Sequence, residues 1–150
     1  MTSESGPETP RDRLLQIGEV ADRVGLSLRT VRYYEEMGLV EPETRTGGGF
    51  RLYTQRHIDR LAVIRRMKPL GFTVEEMREL LDARDALRAD PFDEPARKRL
   101  AAFAAAADER SDVMRAKLSR AEELVAQLRD ESRKPRGTRR GSRRPITSKP

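Results

Sequence analysis

A short basic and aromatic segment stands out in this chain. Residues 29–35 read Arg-Thr-Val-Arg-Tyr-Tyr-Glu. As a helix, the segment places Arg29, Arg32 and Tyr33 at i, i+3 and i+4, on one face. An arginine can form two hydrogen bonds to a guanine edge or a phosphate, and a tyrosine hydroxyl can donate to phosphate oxygens. By itself the pattern fits a solvated helix face with ion pairs equally well, so the flanking segments must decide.

Two short helices with a tight connection are predicted around this segment. The first begins near Gly18 and ends at Gly25, a residue suited to a left-handed C-terminal cap. Its apolar side carries Val20, Ala21 and Val24. Ser27 is a favourable N-cap for the second helix, predicted over residues 28–37. Two of its residues are expected to anchor it to the core: Leu28 and Val31. The pair predicts a helix-turn-helix, with the second helix as the recognition helix.

A glycine-rich hairpin is predicted after the second helix. Arg45-Thr46 and residues 50–53 (Phe-Arg-Leu-Tyr) flank three glycines at positions 47–49. Two short β-capable runs around glycines are typical of a hairpin. Beside a helix-turn-helix such a hairpin is a wing, and Arg45 and Arg51 would lie close to the backbone of a bound duplex. A flexible glycine loop with solvated arginines is the alternative interpretation.

Two longer helices are predicted to form the core that holds the recognition unit. Thr54 is expected to cap the first, whose apolar residues are Ile58, Leu61, Ile64 and Met67. Thr73 and Glu76 form a capping box at the start of the second. His57 falls in a first turn and is expected to be exposed. Residues 14–90 are therefore predicted as one winged helix-turn-helix domain.

A long amphipathic helix is predicted from about residue 95 to residue 131, with Asp93 as its N-cap, and residues 91–131 are assigned as the dimerisation segment. An apolar seam with alternating steps of four and three runs through Leu100, Ala104, Ala107, Ser111, Met114, Leu118, Ala121, Val125 and Leu128. A helix of about 50 Å cannot bury this stripe against so small a domain. We therefore predict a dimerisation helix that forms a coiled coil with an identical chain. The alternative is that the helix packs on its own domain.

Composition restricts the possible functions. The chain has no cysteine and a single histidine, which excludes disulfides, thiolate metal sites and multi-histidine metal sites. The glycine run at 47–49 lacks the strand–helix context of a nucleotide site, so we expect no catalytic residue, no metal and no cofactor. No apolar run approaches the length of a membrane span, and a cytoplasmic protein is predicted.

Both ends of the chain are predicted to be disordered. Residues 1–13 are polar and rich in helix-breaking residues, and residues 132–150 are almost devoid of apolar side chains. Residues 133–150 carry eight of the 31 basic residues and no acidic one. The rest of the chain has 31 − 8 = 23 basic residues against 25 acidic ones, so the basic character of the chain belongs to this tail. The tail could bind phosphates non-specifically, or it could serve only solubility.

Taken together, these segments resemble the MerR family of bacterial transcription regulators. The resemblance covers about residues 16–82, and it is specific because the order and spacing of the blocks agree. The matching blocks are Ile17–Ala21, Gly25–Glu35, Gly38–Pro42, Gly49–Tyr53, Arg60–Leu61 and Gly71–Met77. It implies a winged helix-turn-helix homodimer, joined by an antiparallel coiled coil, on a pseudo-palindromic operator in double-stranded DNA.

The resemblance also implies a mechanism and a set of contacts. Such regulators bend and untwist an overlong promoter spacer, so that both promoter elements face RNA polymerase. By position, the DNA-binding residues would be Arg29, Thr30, Arg32 and Tyr33 in the recognition helix, Arg45, Arg51 and Tyr53 in the wing, and Arg56 at the start of the next helix.

Two departures leave the signal open. The chain lacks the cysteines of metal-sensing and redox-sensing members, and after the coiled coil only a basic tail is expected instead of an effector domain. A ligand could bind at the dimer interface or near Phe92 or Phe103, a partner protein could sense the signal, or no effector could exist. Activation and repression are equally compatible with the sequence. An architectural or recombination-associated DNA-bending protein is the alternative function.

Overall fold

The computed structural model describes residues 13–42, 44–45, 47–135 and 137. Over this range the fold is mainly α-helical, with a small sheet and a long C-terminal helix, as predicted. The chain divides into two compact units, one ending at Met114 and the other beginning at Arg115. The predicted disordered ends, residues 1–13 and 132–150, lie almost entirely outside the described residues. None of the described helices is both long and apolar enough to cross a membrane.

The first two helices form the predicted helix-turn-helix. Helix α1 covers Ile17–Val24 and ends at Gly25, whose φ of 71° is the left-handed conformation of a C-terminal cap. Helix α2 covers Leu28–Glu36, and Ser27 Oγ accepts a hydrogen bond from the Thr30 N–H at 3.1 Å. Both capping predictions are therefore confirmed, because the local sequence satisfies the exposed N–H and C=O groups of each helix end.

The wing contains a third strand that the sequence pattern did not reveal. Strand β1 (Leu15–Gln16) precedes α1, and strands β2 (Thr44–Arg45) and β3 (Arg51–Tyr53) follow α2. The sheet is antiparallel with the order β1-β3-β2, and Leu15 lies opposite Tyr53. The central strand β3 thus pairs with one strand that precedes α1 and with one that follows α2, and this pairing holds the wing next to α2.

Helices α3 (Gln55–Met67) and α4 (Val74–Ala89) supply the core beneath this unit. A single-turn 3-10 helix, Lys68–Leu70, joins them. The predicted apolar face of α3 is buried: Ile58, Leu61, Ile64 and Met67. The capping box of α4 is also present, with Thr73 N–H donating to Glu76 Oε2 at 2.8 Å and Glu76 N–H donating to Thr73 Oγ1 at 3.1 Å.

Two burial predictions were wrong. Leu28 is 43% exposed, because Leu26 makes the core contact at that end of the helix-turn-helix. His57 is only 9% exposed, and its Nδ1 accepts the Thr54 N–H at 2.9 Å. Its ring also packs edge-on against Tyr53, with centroids 5.8 Å apart. Strand β3 covers this side of the first turn of α3, so His57 is internal in the fold although it lies near a helix end.

Helix α5 covers Glu94–Glu131, and Asp93 caps it by accepting the Ala96 N–H at 2.8 Å. Its first part, within the unit that ends at Met114, packs on the hydrophobic core of that unit. Ala96 is fully buried, and Phe103 lies 6.1 Å from Phe72 between ring centroids. The interpretation that this helix folds back on its own domain therefore applies to its first part.

An ion pair fastens this part of α5 to α4. Arg110 Nη2 lies 3.0 Å from Glu76 Oε1, and the Arg110 guanidinium lies over the Phe72 ring at 4.0 Å. The hydrogen bond from Arg110, followed by the backbone N–H of Thr73, holds the pKa of Glu76 below its ordinary value. The charged form of Glu76 is therefore the form that the folded state stabilises.

We expect Glu76→Gln to lower the melting temperature at neutral pH and to have progressively less effect in acid. The folded pKa of Glu76 is depressed, so its contribution is present above the unfolded value of about 4.5 and lost as pH falls through the folded pKa. Glutamine keeps one oxygen for the Thr73 N–H, and it loses the charge together with the oxygen that accepts from Arg110. Thermal unfolding followed by circular dichroism across this pH range measures the effect. The exposed neighbour Glu75, replaced by glutamine, is the control, and a pH-independent difference would contradict the assignment.

Candidate nucleic-acid interface

The recognition helix α2 presents a basic face to solvent. Arg29, Arg32 and Tyr33 are all exposed, whereas Val31 and Tyr34 on the other side are buried. Within the described part of the chain, neither Arg29 nor Arg32 forms an ion pair. The three side chains that the i, i+3, i+4 spacing placed on one face are therefore open to a ligand together.

The buried side of α2 explains why this face is presented outward. Val31 and Tyr34 are 0% and 2% exposed and belong to the hydrophobic core. Burial, and then the neighbouring Tyr33 hydroxyl, raise the pKa of Tyr34, so this phenol remains neutral at physiological pH. Two buried side chains one turn apart fix the rotation of the helix, and the arginines consequently point away from the core.

Thr30 takes part in the N-cap of α2. It is half-buried, and its hydroxyl lies 2.8 Å from Ser27 Oγ while its backbone N–H donates to the same oxygen. The Thr30 hydroxyl therefore already has Ser27 Oγ as a hydrogen-bond partner, and its contact with DNA stays a prediction.

The wing residues differ from what the sequence predicted. Tyr53 is completely buried, and its hydroxyl donates to Glu35 Oε2 at 2.5 Å. The assignment of Tyr53 as a wing contact to DNA is corrected, because alternation along β3 directs its side chain to the core. Arg51 remains partly exposed but is paired with Glu35, with 2.6 Å between Arg51 Nε and Glu35 Oε1. The side chain of Arg45 lies outside the described residues.

Arg56, in the first turn of α3, is exposed but already forms an ion pair. Its Nη2 lies 2.9 Å from Asp85 Oδ1 on α4. Asp85 also accepts a hydrogen bond from the more buried Arg60, and Arg88 is near it at 3.9 Å. Glu41 and Asp59 line the adjoining surface, so the three arginines face three carboxylates. The contact of Arg56 with a phosphate stays a prediction.

Long-range arginine contacts at the helix ends were missed by sequence reasoning. Arg65 Nη1 on α3 donates to the Val24 carbonyl at 2.6 Å, at the end of α1. Arg78 on α4 donates to the Met37 carbonyl, at the end of α2. These bonds join residues 41 positions apart. No local pattern could have indicated them, although they tie both helices of the helix-turn-helix to the core.

The part of α5 in the second compact unit carries exposed apolar side chains. Leu118, Val125 and Leu128 are 58%, 44% and 53% exposed. Together with Ala121 they follow the predicted seam, and a shallow groove lies along Leu118, Ala121 and Val125. Met114, at the end of the first unit, is 45% exposed. Earlier in the seam Ala107 packs on the core of its own domain, so the accessible seam begins near Met114.

The structure also distinguishes the two aromatic residues suggested for a ligand site. Phe103 lines a pocket of about 230 Å³ between α4 and α5, together with Phe72 and Glu79. Phe92 is 85% exposed and contributes no wall to this pocket. Within the described residues, no group of three or more potential metal ligands comes together.

This geometry defines a winged helix-turn-helix DNA-binding protein. Two family models match the chain: "MerR HTH family regulatory protein" over residues 15–84 and "MerR, DNA binding" over residues 58–130. The mercuric resistance operon regulatory protein of Bacillus cereus is 47% identical over 70 residues, which cover 47% of this chain and 53% of that protein. The regulator ZntR of Escherichia coli K12 is 45% identical over 78 residues, 52% of each chain.

Solved structures agree with this assignment. The transcription regulator PbrR691 from Ralstonia metallidurans CH34, solved with lead(II), is 31% identical, with a TM-score of 0.50 over 84% of this chain and 93% of that chain. HiNmlR, a MerR family regulator lacking the sensor domain and solved bound to promoter DNA, is 20% identical. It shares the fold with a TM-score of 0.61 over 77% of this chain and 87% of that one.

The chain therefore belongs to the MerR family of DNA-binding transcription regulators. It spans about half the length of the curated relatives it matches. Members of this family are transcription regulators and not enzymes, which confirms the prediction that the chain has no catalytic role.

Proposed function

We propose that this chain binds a pseudo-palindromic promoter operator as a homodimer and controls transcription by bending and untwisting the DNA. The observation that carries the proposal is the exposed face of α2, where Arg29, Arg32 and Tyr33 stand together without ion pairs in the described structure. Arg29 and Arg32 would contact base edges or phosphates in the major groove, as in other helix-turn-helix proteins. Arg45, Arg51 and Arg56 would contact phosphates on either side.

The exposed seam of α5 supports the homodimer. Leu118, Val125 and Leu128 leave a stripe of apolar surface in water, and a second identical helix would bury it. An antiparallel arrangement would place the two recognition helices on successive half-sites of an inverted repeat. We propose residues 14–90 as the DNA-binding domain and residues 91–131 as the dimerisation helix, which also packs on its own domain in its first part.

The partners and the location of action follow from this proposal. A protein that realigns promoter elements acts on RNA polymerase, and it does so in the cytoplasm, at the nucleoid when bound to DNA. The relatives named for mercury and lead do not supply an effector here, because the chain has no cysteine with which to form a thiolate site.

One observation favours a second candidate, an architectural or recombination-associated DNA-bending protein. Residues 133–150 carry eight basic residues and no acidic one, which would favour sequence-independent binding to phosphates. Such a protein would use the same fold to bend DNA at attachment or partition loci. The two functions differ in where the preferred sites lie.

Selection of genomic DNA fragments by the purified full-length protein, followed by sequencing, tests the proposal. We expect enrichment of an inverted repeat located between promoter elements. Enrichment of a motif outside promoters would support the architectural function. Broad, salt-sensitive enrichment without any motif would contradict sequence-specific regulation and would point to the basic tail as the main determinant of binding.

A further inference from the structure

A carboxylate in the recognition helix contacts two side chains of the wing. Glu35 Oε1 lies 2.6 Å from Arg51 Nε, and Glu35 Oε2 accepts the Tyr53 hydroxyl at 2.5 Å. Arg51 and Tyr53 are two residues apart on β3, so their side chains leave the same face of the strand. Both oxygens of one carboxylate therefore connect α2 to the wing.

The contacts of Glu35 with Arg51 and Tyr53 are largely shielded from water. The Glu35 side chain is only 13% exposed and Tyr53 is 0% exposed, so the carboxylate cannot exchange these partners freely for water. The Arg51 side chain is 34% exposed as a whole, whereas its Nε atom is buried and meets Glu35 as an ion pair without the geometry of a hydrogen bond. The accessible surface of Arg51 thus lies on the rest of the side chain, which includes the terminal N–H groups.

The far side of Tyr53 is held as well. Its ring contacts His57 edge-on, and His57 in turn caps the first turn of α3 through the Thr54 N–H. Glu35 consequently binds to a tyrosine that cannot swing away. This leaves the Glu35–Arg51 pair as the part of the network that reaches the surface.

We propose that Glu35 is a positioning residue: it holds Arg51 through Nε so that the terminal N–H groups of Arg51 face a DNA phosphate beside the recognition helix. This inference rests on the proposed function, since it assigns the geometry of one of its DNA contacts. An arginine can serve both partners because the charge of its planar guanidinium is delocalised: the Nε side can pair with a carboxylate while the terminal N–H groups remain donors for a phosphate. Ordering of Arg51 before binding lowers the entropic cost of the phosphate contact.

A positioning role for Glu35 and a purely electrostatic role predict opposite changes in DNA affinity when Glu35 is removed. Glu35 is a negative charge next to a surface that binds a polyanion, so its removal should strengthen DNA binding if charge alone mattered. If Glu35 positions Arg51, its removal should weaken binding. The two explanations therefore make opposite predictions for the same substitution.

The test measures the affinity of the full-length protein for a fixed-sequence DNA duplex over a series of salt concentrations. We expect Glu35→Gln to weaken binding about tenfold and to reduce the slope of log K against log salt by about 0.9, the value for one phosphate contact. Arg51→Ala should have the same two effects. The double variant should lose no more than Arg51→Ala alone, because the two residues act as a unit.

Two further variants keep the test decisive if Glu35→Gln unfolds. Arg51→Lys preserves the charge, but one ammonium cannot serve carboxylate and phosphate in the same geometry, so the salt slope should fall as it does for Arg51→Ala. Arg99→Ala removes a charge from an exposed position on α5, outside the proposed interface, and should leave the slope unchanged. A wild-type slope for Arg51→Lys, or tighter binding by Glu35→Gln, would overturn the proposal.

DNA binding by the wild-type protein shows whether a negative result refutes the role of Glu35 or the proposed function. If the wild type binds no duplex at all, the proposed function fails. If the wild type binds and Glu35→Gln has the same affinity and salt slope, only the positioning role of Glu35 is refuted. A further loss from Glu35→Gln in the Arg51→Ala background would also refute it, since Glu35 would then act through another group.

Discussion

Replacement of Arg32 by alanine is expected to lower affinity for the operator by about 1–3 kcal/mol, roughly 5–150-fold. Arg32 is exposed near the middle of α2, and the described structure gives it no ion-pair partner that would compete with a base. A bidentate contact to a guanine edge is lost as a unit, which accounts for the size of the effect. The measurement is equilibrium binding to the enriched operator and to variants that differ at single base pairs.

The pattern across sequences decides what Arg32 contacts. If it contacts a base, Arg32→Ala should also lose discrimination at one position of each half-site. Arg99→Ala is the matched control, because it removes the same charge from an exposed position on α5, outside the predicted interface. An equal loss on every sequence, with a smaller salt slope, would show that Arg32 binds a phosphate instead.

Leu118→Glu is expected to convert the protein to monomers and to abolish tight operator binding. Leu118 is 58% exposed and lies in the seam with Ala121 and Val125, where an identical helix would place apolar side chains. A glutamate there would be buried without a partner in the dimer, which opposes association strongly. A monomer binds one half-site, so the affinity gained by joining two half-sites is lost. Sedimentation and operator binding measure both effects.

Ala116→Glu provides the control for this change. It adds the same charge two residues earlier, on the opposite flank of α5, and a favourable i, i+4 pair with Arg120 is available to it. This variant should remain dimeric and should bind the operator normally. If the Leu118→Glu protein is still a dimer, the seam is not the interface and the homodimer must be formed elsewhere.

Much of the fold could be predicted because the relevant interactions are local. Gly25, Ser27, Thr73 and Asp93 mark helix ends, since each cap satisfies backbone groups within a few residues of itself. The exposed face of α2 could be predicted for the same reason. A helix with Val31 turned to the core must turn Arg29 and Arg32 outward.

Predictions failed where burial depended on a distant strand. Tyr53 looked like a wing contact, yet it is the innermost side chain of β3. His57 looked like an exposed first-turn residue, yet β3 covers it. The two-residue strand β1 escaped notice altogether, because Leu15–Gln16 is too short for any periodicity and exists only through its pairing with β3.

The helices, their caps, the basic face of α2 and the resemblance to the family could all be predicted from the amino-acid sequence. The contacts of Glu35 with Arg51 and Tyr53, and of Arg110 with Glu76, became visible only in the folded chain. The difference lies in the distance between the partners along the chain. Capping and amphipathic periodicity act over a few residues, whereas an ion pair between residues 16 or more positions apart depends on how completed elements pack.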